Sequence, residues 1–202
     1  MRVRLLMLTS DLRGGGAVDL GSGALLRVHW AVPEDDAYLP YDVVEGEGAW
    51  HEESAFAADT MVVDDPVKVG RMRGRKANRL VAPLVQSPTT PLFGAVTPTV
   101  PYWTLGDHQP SLTIVAPDAG PVVERDPLLR LRCRFRWRRL DHDLPLDDPA
   151  LEERLSHPTA TRLTGATLAR ALGWAPERLL VALTPPRHGQ CHKIVAGLLP
   201  RP

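Results

Sequence analysis

Cysteine, lysine and uninterrupted apolar sequence are scarce in this chain. Only Cys133 and Cys191 occur in 202 residues, which excludes a disulfide framework. Lysine stands only at 68, 76 and 193, so positive charge is carried almost entirely by arginine. No stretch approaches the ~20 apolar residues of a membrane-spanning helix. The apolar run near the start, Leu5 to Leu8, is too short for a signal-peptide core. A soluble, cytoplasmic protein with no membrane partner is therefore expected. The nucleophile elbow (G-x-S-x-G) and the Walker phosphate loop are both absent. Gly14 to Gly16 precede a strand-like run and no helix, so they read as the mobile hairpin tip of a glycine-rich connection and not as a phosphate cradle.

Breakers, by contrast, are plentiful. Twenty prolines and sixteen glycines argue for short strands and many turns. A hydrophobic fraction of 44 % is enough to build a core. Strand-like runs are predicted over 2–9, 24–32, 60–66, 79–87, 91–96, 100–105 and 111–117. Residues 33–59 read as an acidic, irregular insertion, and 68–79 as a basic loop. Asp148-Pro149 is a helix-start signal for a short helix to about Leu155. A second helix is predicted from Thr164 to Gly173, followed by a hairpin over 178–199 that turns at 185–189. The expected fold is mainly β, barrel- or sandwich-like, with a small C-terminal α+β segment of two short helices and a hairpin. The division expected is a β-rich domain over 1–146 and a C-terminal segment over 147–202 packed on it.

The clearest pattern lies between Leu129 and Arg138. Leu129, Leu131, Cys133, Phe135 and Trp137 take one parity; Arg130, Arg132, Arg134, Arg136 and Arg138 take the other. Side chains of a strand alternate between faces, so the pattern predicts one apolar face and one row of five guanidiniums. Such a row spaces its forks at about 6.5–7 Å, which suits a phosphate backbone. Phe135 and Trp137 sit on the core parity, so they cannot be stacking platforms for bases.

Charge is balanced globally, with 24 basic and 24 acidic residues, and segregated locally. Residues 33–66 hold eleven acids and no Lys or Arg. Residues 67–79 hold Lys68, Arg71, Arg73, Arg75, Lys76 and Arg79 and no acid. Blocks of like charge seek partners of opposite sign, within the molecule or outside it. The candidate anion- or nucleic-acid-binding residues are therefore those six cations and the five arginines of the ribbon.

Enzymatic chemistry is less well supported. His188, Cys191 and His192 include zinc-ligand types, but neighbours in a strand point to opposite faces. Asp141-His142-Asp143 and His51-Glu52-Glu53 are the other sets that a metal-dependent hydrolase or phosphodiesterase would use. Acid, base and nucleophile candidates are scattered along the chain. The expectation is a non-catalytic binding or assembly protein, without cofactor or metal. It would be a structural or accessory subunit whose basic strand face and basic loop meet other protein subunits, further copies of itself, or nucleic acid. The metal-dependent hydrolase is the alternative.

Overall fold

The computed structural model describes residues 1–33, 37–51, 59–87, 89–105, 110–148, 151–152, 155 and 162–202. Strand is the dominant element, and the chain divides into two compact units. The first comprises Met1–Val85, Leu105–Thr113 and Pro202; the second comprises Gln86–Thr104 and Ile114–Arg201. Among the described residues no helix is long and apolar enough to cross a membrane.

The first unit is a closed barrel of five strands: β1 (Arg2–Asp11), β2 (Gly14–Asp19), β3 (Leu25–Trp30), β4 (Asp42–Trp50) and β5 (Thr60–Arg71). Their order around the barrel is β1-β2-β3-β5-β4. All neighbours are antiparallel except β3 and β5, which run parallel. This is the Greek-key arrangement of small five-stranded barrels such as the OB-fold. Closure leaves no free strand edge. Val3, Leu5, Met7, Ala17, Leu26, Val28, Trp30, Val44, Met61 and Val63 fill the interior.

Three local features of this unit differ from the reading of the sequence. The triple glycine, expected as a mobile connection, lies within β2. There a Cβ on Gly14 or Gly15 would sit 2.0 Å from the carbonyl oxygen of Val28 or Thr9, so the neighbouring strands approach bare backbone. β4 runs through the segment expected to be irregular. Its acids are answered across the strand pair, with Glu45 meeting both Arg2 and Arg4. The basic stretch is no loop: Lys68 and Arg71 end β5, and helix α1 (Gly74–Val81) carries Arg75, Lys76 and Arg79. Ala77 and Val81 bury the opposite stripe of that helix.

The remaining strands form two four-stranded sheets, within the second unit except for Leu112 and Thr113. They are β6 (Thr99–Pro101), β7 (Leu112–Val115), β8 (Ala119–Arg125), β9 (Leu131–Trp137), β10 (Leu140–Pro145), β11 (Arg162–Thr164), β12 (Pro176–Leu183) and β13 (Gln190–Pro200). The sheet orders are β10-β9-β8-β11 and β6-β13-β12-β7. Helix α2 (Gly165–Leu172) has Thr164 and Thr167 in a capping box and Gly173 as a left-handed stop. At the helix expected from Asp148, the Leu151 N–H donates to the Asp148 carboxylate, and the rest of that helix lies largely outside the described residues.

The runs 79–87 and 91–96, expected as strands, become a helix end and short 3-10 turns, and the run 100–105 holds the end of β6 followed by another such turn.

Candidate anion-binding surfaces

The predicted ribbon is formed, but shorter. β9 spans Leu131–Trp137, and its apolar parity is buried at Leu131, Cys133, Phe135 and Trp137. Leu129 precedes the strand and Arg138 follows it, both with positive φ, so the row of arginines bends away at each end.

Acids on the adjoining strands and turn face this row. β10 pairs with β9 in a register that sets Asp141 opposite Arg136 and Asp143 opposite Arg134. β8 sets Glu124 opposite Arg132. Arg132 and Arg134 meet Asp143 at 2.7 and 3.2 Å, and Arg134 also meets Glu124 at 2.9 Å. Arg136 grips Asp141 with two N–H donors at 2.9 and 3.2 Å. Arg130 closes on Asp126 at 2.7 Å. Arg138 donates to the Thr89 carbonyl and lies over the Trp137 ring at 5.7 Å. The hydrogen bond from Arg136 pulls the Asp141 carboxyl below its usual range, and the bond from Arg130 does the same for Asp126. Four of the five guanidiniums are thus neutralised within the molecule.

The second basic group behaves differently. Lys68 and Arg71 converge on Asp42, whose carboxylate is 1 % exposed, at 2.7 and 3.8 Å. Arg71 also donates to the Pro40 carbonyl. These two cations hold the ends of β4 and β5 together. Arg73, Arg75, Lys76 and Arg79 are exposed and form no ion pair among the described residues. Nor does the first turn of α1 carry an acid. Among the described residues the eleven candidate cations therefore divide into six paired with acids, Arg138 bonded to a carbonyl, and four without an ion pair.

Among the described residues the metal-ligand candidates do not converge. Cys191 is fully buried on β13, while His188 and His192 are exposed. Burial raises the Cys191 thiol, and pushes the Cys133 thiol up to about 12, so neither is a ready thiolate. Asp141 and Asp143 face the arginines, whereas His142 turns to the other face and stacks on Phe135 at 5.0 Å. Burial first, and the charge of Lys193 second, lower the His142 pKa. Glu52 and Glu53 lie outside the described residues. Among the described residues no group of three or more His, Cys, Asp or Glu side chains could hold a metal ion.

Two features escaped the sequence reading. Lys193 is 1 % exposed and donates to the carbonyls of Ala95 and Thr97 at 2.6 and 2.7 Å. Its place on the buried parity of β13 was the available signal. Trp103, assigned to a strand, stands instead on a turn and is 71 % exposed. The chain matches no protein-family model, and comparison with curated proteins finds no relative.

Proposed function

We propose that this is a non-catalytic binding or assembly protein, a subunit of a larger complex, that meets an anionic partner through helix α1. The observation that carries the reading is the open set Arg73, Arg75, Lys76 and Arg79. These exposed cations have no ion pair among the described residues, while Arg130, Arg132, Arg134 and Arg136 of the ribbon are met by acids of the same chain. Cationic side chains spaced along one short helix suit a phosphate backbone or an acidic protein surface, and arginine forks add bidentate geometry. The reading places the protein in the cytoplasm, in keeping with two free, buried cysteines.

The test is a titration of the full chain with a DNA duplex, a DNA single strand and polyglutamate across a salt series. Binding should weaken steeply with salt. Replacing each open cation by alanine should reduce the logarithmic slope on duplex DNA by about one unit. Absent or salt-independent binding to all three probes removes the reading.

A further inference from the structure

We propose that Trp103 is a stacking platform for the bases of a single-stranded nucleic acid, flanked by the hairpin turn that carries Arg187 and His188. The site goes beyond the reading of α1, because stacking here needs nothing from that helix. The ring is pinned from beneath. Its Cζ3 lies 2.8 Å from where a Cβ on Gly189 would stand, so it packs on bare backbone that only glycine leaves clear. Gly189 also has a φ of +77, which a side chain would strain. The Tyr102 N–H donates to the Gly189 carbonyl at 2.9 Å, and the Thr104 hydroxyl donates to the Pro101 carbonyl at 2.7 Å. Pairing of β6 with β13, Gln190 against Pro101 and Cys191 against Val100, fixes both segments.

A tryptophan held this firmly yet 71 % exposed has given up the burial that its size would repay. Tyr102, its neighbour in the chain, is exposed, and so are Arg187 and His188 in the turn that ends at Gly189. Neither 91–105 nor 184–193 contains an acid. A flat, exposed π-face packed against the turn that carries Arg187, with no acid in the sequence of either segment, matches a ligand that is anionic and carries flat rings. Single-stranded nucleic acid has both, and stacking tolerates any base.

The experiment titrates the full chain with a twelve-residue oligodeoxythymidine and with inorganic polyphosphate, following tryptophan fluorescence and binding. The oligonucleotide should quench fluorescence and polyphosphate should not. Trp103→Leu should abolish the quench and weaken oligonucleotide binding by roughly 5- to 150-fold, the range for losing one stacked base. It should leave polyphosphate affinity and the thermal midpoint unchanged. Alanine variants of α1 should instead weaken both probes, which keeps the two proposals separable. Quenching that persists in Trp103→Leu overturns the inference. So does an unaltered oligonucleotide affinity, or a change in self-association by sedimentation in its place.

Discussion

Lys193 shows how a single side chain can set a pH response. Its ammonium is enclosed, with two carbonyl acceptors and, among the described residues, no ion pair, and burial lowers its pKa to about 8. The unfolded chain retains the ordinary value of 10.5. Between these values the unfolded state binds the extra proton and the folded state does not, so stability rises with pH across that window. Below about pH 8 both states are protonated, and the cost of burying the charge is fully present. The denaturant midpoint should therefore climb from pH 8 to pH 10, and Lys193→Met should flatten the climb. An equal climb in both proteins would show that other groups cause it. Arg139 offers a second test at this scale. It holds a φ of +62 at the β9–β10 turn, where the Cβ of an L-residue is crowded, while its N–H still reaches Asp118. Arg139→Gly keeps that backbone bond and should raise stability by roughly 1 kcal/mol in urea unfolding. A loss of stability would contradict the strain argument.

Among the elements, the ribbon and α1 carry the same kind of charge with different outcomes. The ribbon's acids come from β8, β10 and the turn before β9, and exposed pairs of this type add little to stability. Asp141→Asn combined with Asp143→Asn should therefore leave folding nearly intact. The same change frees guanidiniums and should tighten binding to polyphosphate; unchanged affinity would mean that the strand face has no reach to an outside anion. The alternation that announced β9 was legible because one face is wholly apolar. Its partner strand was not, for a physical reason. The hairpin turns on Arg138 and Arg139, both at positive φ, where a two-residue turn ordinarily uses Asn-Gly, so the sequence carries no turn signal. β4 was hidden in the same way, because its Glu45 is satisfied by arginines that are distant in sequence. α1 was read as a loop because glycine and a run of cations mask the two buried residues, Ala77 and Val81, that define its inner stripe.

At the scale of the whole molecule, a formal charge of zero conceals a sorting of charge by partner. Composition and breaker content were enough to indicate a mainly β protein, and the structure adds a closed barrel whose strand order no local pattern specifies. The candidate cations were all legible as residues. Which of them are already paired depends on strand register and long-range contacts, and so could be read only from the fold. The most direct measurement is duplex DNA binding by the full chain from low to high salt, with and without alanine at Arg73, Arg75, Lys76 and Arg79. The account predicts steep salt dependence in the parent chain and a loss of about 3 to 4 units of logarithmic slope in the fourfold variant. Binding that keeps its affinity and its slope after those four charges are gone would contradict it.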